Sequence, residues 1–242
     1  MKKLILIFAA LVIIAPVAIS QDNGEFKSRS QTNKSGSNNK ENEESEEKAF
    51  GEGTFDVTVG YGFPDMYKSF VKALVKDFQN PNATYTVKGI GPVFLKMEYG
   101  LSKLIGLGAV IGYHNISVTE TYPYQSYNSA TGMYDIYEDV EKLTYTSLSV
   151  AARINFHFGT GKRLDPYAGV GAGYSYKTYV FTQTTNNPNG FVNPPDSYNG
   201  YFPVYFGISA GLRYYFTPNI GIYGEVGFDK WTVMQGGLAV KF

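Results

Sequence analysis

Cysteine is absent from the 242 residues of this chain, and only two histidines and one tryptophan occur. The lack of cysteine excludes a disulfide scaffold, a cysteine-ligated metal site and a lipid-anchored N-terminal cysteine. Charge is scarce and balanced, because 21 basic side chains face 21 acidic ones and charged residues make up 17% of the chain. A nucleic-acid partner is therefore not expected. No metal site and no cofactor are predicted.

Long apolar runs are also missing, except at the N-terminus. Residues 1–20 carry two lysines at the start, an apolar run over 4–17, and the small-residue sequence Ala-Ile-Ser. This pattern predicts a cleavable export signal, with a retained membrane helix as the alternative. Residues 21–51 are rich in Asn, Ser, Lys and Glu and almost without aliphatic side chains, which predicts a disordered tether.

Aromatic residues and glycine are abundant, with 21 Tyr, 17 Phe and 27 Gly. In the last stretch, 231–242, the side chains of Leu238, Val240 and Phe242 lie on one face, because successive side chains of a strand point to opposite faces. Earlier stretches repeat this pattern, with apolar faces over 55–63, 93–101, 105–113, 148–158, 168–176, 204–216 and 220–228. Each is close to the ~9–11 residues of a tilted membrane strand. The sequence therefore predicts an all-β fold, an eight-stranded antiparallel transmembrane β-barrel over residues 52–242.

The connections between these strands predict an orientation. Short connections at 101–104, 159–165 and 217–219 alternate with long ones at 64–86, 119–142 and 182–200. Short turns face the periplasm in such barrels and long loops face outward, so both termini are expected in the periplasm. Aromatic residues cluster near both ends of the apolar faces, as in the girdles of membrane barrels. A lipocalin-type soluble barrel would instead point its apolar face inward.

Three segments carry a resemblance to a known group: PYAGVGAGY at 166–174, GLRYYFTPNIGIYGEVGF at 211–228, and the terminal GGLAVKF. With them the chain resembles the small outer-membrane β-barrel proteins of Gram-negative bacteria, the group of the OmpA transmembrane domain, OmpX, OmpW and the opacity-type porin superfamily. The resemblance implies the fold and the outer membrane, with its lipids, including lipopolysaccharide, as partners. It also implies that Leu238, Val240 and Phe242 form the signal read by the outer-membrane assembly machinery.

The inward faces of the predicted strands indicate a filled lumen. Two strands place mostly small residues inward and so leave room for long side chains from their neighbours. These are Gly106, Gly108, Val110 and Gly112 on one strand, and Gly169, Gly171 and Gly173 on the other. An eight-stranded barrel is only just wide enough to be filled by side chains. The sequence therefore predicts an ion-paired plug, with a gated narrow path as the alternative. The residues of this predicted network are Lys96, Glu98, Arg153, Arg213 and Glu225.

The first long connection predicts an amphipathic helix over 65–80. Met66, Phe70, Leu74 and Phe78 recur at spacing four, and Asp65 is a plausible N-cap. One interpretation is a lid packed on the barrel rim. The other is a helix resting on the outer leaflet, in which Lys68, Lys72 and Lys76 contact lipopolysaccharide phosphates.

The second long connection is rich in tyrosine beside acidic residues, a composition that suits recognition surfaces, although ordinary surface loops can share it. The predicted recognition residues are Tyr122, Tyr124, Tyr127, Tyr134 and Tyr137.

Enzymatic parts are hard to find. Lipid A deacylases use a His and a Ser two residues apart on one strand, whereas Ser117 lies three residues from His114 and faces the opposite side. His157 lies at the expected periplasmic end. The sequence thus predicts a non-enzymatic outer-membrane barrel with a structural or surface-interaction role and an unknown extracellular ligand. A narrow porin-like channel is the second interpretation, and a lipid-modifying enzyme the third.

Overall fold

The structure of the chain, a computed structural model, describes residues 48–78, 80–159 and 161–242. In chain order the elements are β1 (Phe55–Phe63), α1 (Met66–Phe78), β2 (Thr84–Gly100), β3 (Ile105–Asn128), β4 (Met133–His157), β5 (Leu164–Thr185), β6 (Asp196–Asn199), β7 (Val204–Tyr215), β8 (Ile220–Asp229) and β9 (Thr232–Lys241). Within the described ranges, no helix is long and apolar enough to cross a membrane.

The strands close into a ring. Each pairs antiparallel with its neighbour in the order β1–β2–β3–β4–β5–β7–β8–β9, and β9 returns to β1. The short β6 pairs only with β5 and lies outside this ring. The predicted eight-stranded barrel is therefore confirmed, together with the single helix in the first long connection.

The two faces of the strands divide as the alternation predicts. Along β1 every second residue from Asp56 to Gly62 is buried, while Val59 and Phe63 on the other face are 52% and 51% exposed. On β9, Leu238 is 61% exposed and Phe242 just beyond it is 71% exposed. The apolar side chains thus point outward all round the barrel, and the polar ones point into it.

One end of the barrel carries the short turns, the start of the described chain at Lys48 and the C-terminal Phe242, and is named the turn end. The opposite end is named the loop end. At the loop end the predicted loop 119–142 is wrong. β3 and β4 continue through it in unbroken register, and only residues 129–132 form the turn. The alternation persists there, but the outer face mixes polar residues such as Thr119, Thr121 and Lys142 with apolar ones, so it lacks the continuous apolar face that marks the other strands.

Strands β2, β3, β4 and β5 continue beyond the closed ring, and β6 pairs with β5 there. This open part of the sheet is named the loop-end sheet. Helix α1 packs on its inner side. Tyr67, Val71 and Val75 of the helix are buried against a cluster from three strands, Ile116, Val118, Leu143, Tyr145 and Tyr179. The helix therefore lies over the mouth of the barrel, which is the arrangement of a lid and not that of a helix lying beside the barrel on a membrane surface.

The chain before β1 closes the turn end. Ala49 and Phe50 are 0% and 1% exposed, and Ala49 donates its N–H to the carbonyl of Gly161 at 2.8 Å. The sequence predicts a tether that ends at Gly51. In the structure Ala49 and Phe50 are buried, so this last part of the predicted tether packs with the barrel. The predicted export signal and the tether up to residue 47 lie outside the described residues.

Candidate functional site

The lumen at the turn end holds a cluster of buried charges around Arg213. Its guanidinium hydrogen-bonds to Glu98, contacts Asp165 at 3.2 Å (Nη1–Oδ2) and lies 3.8 Å from Asp56 (Nε–Oδ1). His157 bridges two of these carboxylates, with Nδ1 2.7 Å from Asp165 and Nε2 2.8 Å from Glu98. Each ring nitrogen of His157 therefore has a carboxylate oxygen within hydrogen-bond distance.

Phe50 covers this cluster from the turn end. Its ring stacks on the His157 ring with centroids 3.4 Å apart and an interplanar angle of 5°. The segment that precedes the barrel therefore packs against the Arg213 cluster.

A second charged layer lies deeper, around Glu225. This carboxylate accepts hydrogen bonds from Lys96 (2.7 Å), Tyr167 (2.8 Å) and Ser209 (2.7 Å). Arg153 completes it at 3.2 Å (Nη2–Oε1). All five predicted lumen residues are thus buried, and the structure divides them into two sets: Glu98 with Arg213, and Lys96 with Arg153 and Glu225.

Glycine makes these layers possible. A Cβ added at Gly106 would collide with the carboxylate of Glu98. One added at Gly169 would collide with the side-chain oxygen of Asn155 and lie 2.8 Å from two nitrogens of Arg153. The predicted exchange of space between small and long side chains is therefore present in the lumen.

Toward the loop end, the charged layers of the lumen are followed by an apolar layer and then by the side chain of Lys230. Phe94, Val110, Ala151 and Tyr205 form a buried cluster across the lumen. Beyond this layer, Lys230 reaches in from the turn between β8 and β9. Its Nζ donates to the carbonyl of Gly112 at 3.0 Å and to the hydroxyls of Ser147 and Ser149 at 2.9 and 2.8 Å.

The turn that supplies Lys230 is strained. Lys230 and Trp231 have φ values of 44° and 64°, in the left-handed region that glycine and asparagine usually occupy. Trp231 compensates by packing: its ring lies 5.8 Å from that of Tyr67, and its carbonyl accepts the N–H of Met66 at 2.9 Å. One turn therefore places the side chain of Lys230 inside the lumen and packs that of Trp231 against the lid helix.

The lid is anchored at its N-terminus. As predicted, Asp65 caps helix α1 by accepting the N–H of Lys68 at 2.9 Å, and its second oxygen lies 2.9 Å from Nε2 of His114. Burial raises the pKa of Asp65, but the hydrogen bonds from His114 and Lys68 outweigh burial, so its net pKa is lowered.

The helix lysines do not share one environment. The Nζ of Lys68 contacts the carbonyl of Gly89 on β2 at 3.4 Å, whereas Lys72 and Lys76 are exposed. Because the helix lies over the barrel mouth, lipopolysaccharide contact remains a prediction only for the two exposed lysines.

The predicted recognition tyrosines lie on both faces of the β3–β4 hairpin. Tyr124 and Tyr137 are paired on the inner face, with ring centroids 6.0 Å apart, and Asn187 donates to the Tyr124 hydroxyl at 3.0 Å. Tyr127 and Tyr134 pair on the outer face near the hairpin tip and are 58% and 69% exposed.

Tyr122 lies lower on the inner face, among acidic residues. Burial, followed by the negative charges of Glu141, Asp139 and Glu120, raises its pKa to about 12. The five tyrosines therefore do not form one continuous surface.

Both histidines hydrogen-bond to carboxylates. His114 is bonded to the lid anchor, and His157 lies within the turn-end charge cluster. The Ser117 hydroxyl lies on the outer face, 3.2 Å from that of Thr144. Among the described residues, no group of His, Asp and Glu is arranged to hold a metal ion.

Sequence reasoning missed several members of the lumen network: Asp56, Asp165, His157, Tyr167 and Ser209. The inward position of Asp56 on β1 follows from the alternation and was available as a signal. The seal by Phe50 was not, because no pattern in 21–51 marks one aromatic side chain as buried.

Comparison with known proteins gives similarity to solved structures only. No family model matches the chain, and no curated protein matches it. The chain is similar to Ail, the attachment invasion locus protein of Yersinia pestis, at 17% identity over 79% of this chain and 99% of that chain, with a TM-score of 0.38. It is similar at 17% identity to the N-terminal β-barrel domain of Pseudomonas aeruginosa OprF, over 80% of this chain and 98% of that one, with a TM-score of 0.33. Ail in complex with the heparin analogue sucrose octasulfate gives 17% identity, 79% and 99% coverage and a TM-score of 0.33. The barrel fold itself follows from the strand pairing of the chain.

Proposed function

We propose that this chain is an integral outer-membrane β-barrel protein without enzymatic activity, whose lumen is closed and whose loop-end sheet carries a surface-interaction role. Membrane insertion is supported by the outward belt of apolar side chains, because a water-soluble protein rarely exposes so large a continuous apolar surface. In this proposal the turn end faces the periplasm and the loop end faces outward. Residues 1–20 serve as the export signal, and residues 21–47 as a periplasmic tether.

The proposal of a closed lumen is supported by the side chains that fill the lumen from one end to the other. From the turn end upward there follow the Phe50 seal, the Arg213 cluster, the Glu225 cluster, the apolar layer, Lys230 and the lid helix. A conducting path would have to break each of these in turn. This favours the plugged barrel over the porin-like channel.

The interaction role is supported by what the loop-end sheet exposes. Four large apolar or aromatic side chains near the hairpin tip are between 58% and 69% exposed: those of Tyr127, Met133, Tyr134 and Ile136. Exposed aromatic residues of this kind are enriched at binding surfaces. At the other end of the barrel, the outward Leu238, Val240 and Phe242 remain the proposed signal for the assembly machinery.

Planar-bilayer recordings test the closed lumen. Refolded protein of residues 21–242 should insert without discrete conductance steps. The Arg153→Ala/Arg213→Ala variant is the matched comparison, because it removes a cation from both charged layers. Reproducible steps from the unaltered protein would contradict the closed lumen and favour the channel.

A separate measurement tests the hairpin tip. Cells that display the protein should adhere to hydrophobic glass, and Tyr127→Ser/Tyr134→Ser should reduce this adhesion. Tyr124→Phe on the inner face is the control and should leave it unchanged. Equal adhesion by all three proteins would remove the role proposed for the tip.

A further inference from the structure

The outer side of the loop-end sheet carries a regular grid of hydroxyl groups. It occupies the outward positions directly above the apolar belt on β2, β3, β4 and β5. Sixteen residues occupy these positions, and ten of them are threonine or serine; the other six are Lys88, Ile90, Asn115, Val140, Lys142 and Val180. The hydroxyl residues are Thr84, Thr86, Ser117, Thr119, Thr121, Thr144, Thr146, Thr178, Thr182 and Thr184. We name this set the hydroxyl grid.

The strand register places these residues side by side. Thr84 lies opposite Thr121, and Thr86 lies opposite Thr119. Further round, the side chain of Ser117 lies 3.2 Å from that of Thr144, its partner on β4. Neighbouring strands are about 4.8 Å apart and alternate residues about 6.8 Å apart, so the hydroxyls form a two-dimensional array.

At the level of the grid, the acidic side chains of β3 and β4 lie on the inner side of the sheet. The β4 sequence Asp139-Val140-Glu141-Lys142 alternates, so its acids point inward and its lysine outward. Glu120 and Glu141 face each other on the inner side and are 7% and 1% exposed. At the level of the grid the outer side therefore presents hydroxyls and lysines, and the outward carboxylate of Glu138 lies beyond Val140, closer to the hairpin tip. Threonine is common in exposed strands, but strand propensity alone does not sort the charges by face.

We propose that the hydroxyl grid binds the saccharide-phosphate part of the glycolipid that forms the outer leaflet around the barrel. This inference rests on the proposed location in the outer membrane. The grid lies on the same strands and the same face as Tyr113, Leu148 and Tyr176, which are exposed at the upper edge of the apolar belt. A glycolipid whose acyl chains contact this belt must therefore present its headgroup at the level of the grid.

The chemistry of the two surfaces is complementary. Threonine and sugar hydroxyls each donate and accept hydrogen bonds, so the array can follow a saccharide chain without a unique geometry. Lys88 and Lys142 supply the charge-assisted contacts that phosphate groups on the saccharide require. The exclusion of Glu120 and Glu141 to the inner side avoids repulsion of the same phosphates.

The test uses a probe that cannot enter a bilayer, the water-soluble saccharide released by complete deacylation of lipopolysaccharide. Binding to the protein in phosphatidylcholine nanodiscs is measured by isothermal titration calorimetry. The variant Thr86→Val/Thr119→Val/Thr144→Val/Thr182→Val keeps shape and strand propensity and removes four hydroxyls. Its affinity should fall by about tenfold or more, because the loss of two net hydrogen bonds already corresponds to that factor.

The matched control replaces the same four threonines by serine, which keeps the hydroxyls and should bind like the unaltered protein. Lys88→Gln/Lys142→Gln should also lose affinity, and this loss should be smaller in high salt because phosphate contacts are screened. If the valine variant does not fold, the lysine pair decides, and unchanged affinity of that pair overturns the proposal.

Three further results would overturn it: no saccharide binding by an inserted barrel, equal binding by the valine and serine variants, or a grid-dependent dimer detected by cross-linking. Insertion is followed separately by heat-modifiable mobility in gels. A protein that inserts but does not bind saccharide removes only this inference, whereas a protein that fails to insert removes the proposed membrane location.

Discussion

Replacement of Arg213 by methionine should destabilise the barrel more than any other single change of charge in the lumen. Arg213 is 3% exposed and faces three carboxylates, those of Asp56, Glu98 and Asp165. Its guanidinium also lies 4.4 Å above the ring of Tyr167. Methionine keeps part of the packing and removes the positive charge.

The expected loss of stability comes from the three buried carboxylates that lose their partner. The three carboxylates are between 0% and 4% exposed, and the substitution removes the guanidinium that faces all of them. Removing one partner of a buried pair costs about 3–5 kcal/mol, because the remaining charge is uncompensated. We expect the free energy of unfolding to fall by about this amount, a large share of the ~5–15 kcal/mol typical of folded proteins.

Urea unfolding in lipid vesicles measures this loss, with the fluorescence of the single tryptophan, Trp231, as the signal. Arg163→Met, an exposed site at the turn end, is the control and should change stability by less than about 0.5 kcal/mol. The double variant Arg213→Met/Glu98→Gln should recover part of the loss, because it removes one orphaned charge. A loss below about 1 kcal/mol for Arg213→Met would refute the view that these charges are mutually compensating.

Three further outcomes are expected. Gly169→Ala drives a methyl group into the side chain of Asn155 and should cost about 1–3 kcal/mol in the same assay. Phe50→Ala removes a buried ring and should cost about 3–5 kcal/mol, with the seal at the turn end becoming accessible to protease. Asp65→Asn keeps the helix cap but removes its charge, so hydrogen exchange in α1 should accelerate at pH 7 by an amount equivalent to about 1 kcal/mol. Because the pKa of Asp65 is lowered in the folded protein from 3.8, the difference from the unaltered protein should be present above that value and vanish as the pH falls through the folded pKa. Equal exchange rates at pH 7 would contradict the anchoring role of Asp65.

The barrel could be predicted from the sequence because its signal is local. Alternation of apolar and polar side chains, as in Phe55–Phe63, marks both the strand and its faces without knowledge of any partner. The same alternation correctly placed Arg153 and Arg213 inside. Which carboxylate each of them meets depends on the register between strands distant in sequence, and that register carries no local signal.

The loop end was misjudged for a related reason. Residues 119–142 alternate as regularly as the rest, but polar residues such as Thr119, Thr121 and Lys142 interrupt the apolar residues on their outer side. The change marks where the surroundings of the strand change, not where the strand ends. The spacing of apolar residues predicts the lid helix itself. Its burial depends on the inward side chains of Ile116, Leu143 and Tyr179, which lie on strands beyond the apolar belt, where the sequence predicts loops.

The two charged layers of the lumen favour the proposed surface interaction over conduction through the barrel. A conducting state must open the Arg213 cluster and the Glu225 cluster at the same time, because they lie in series along the lumen. If each opening costs about 3 kcal/mol, the lower end for breaking a buried pair, the two cost about 6 kcal/mol. Since each 1.4 kcal/mol is a factor of ten, the open state would then be populated at about one part in 10⁴ even before the apolar layer and Lys230 are counted. Surface side chains such as Tyr134 require no such opening to reach a partner, so selection on this chain can act there without disturbing the plug.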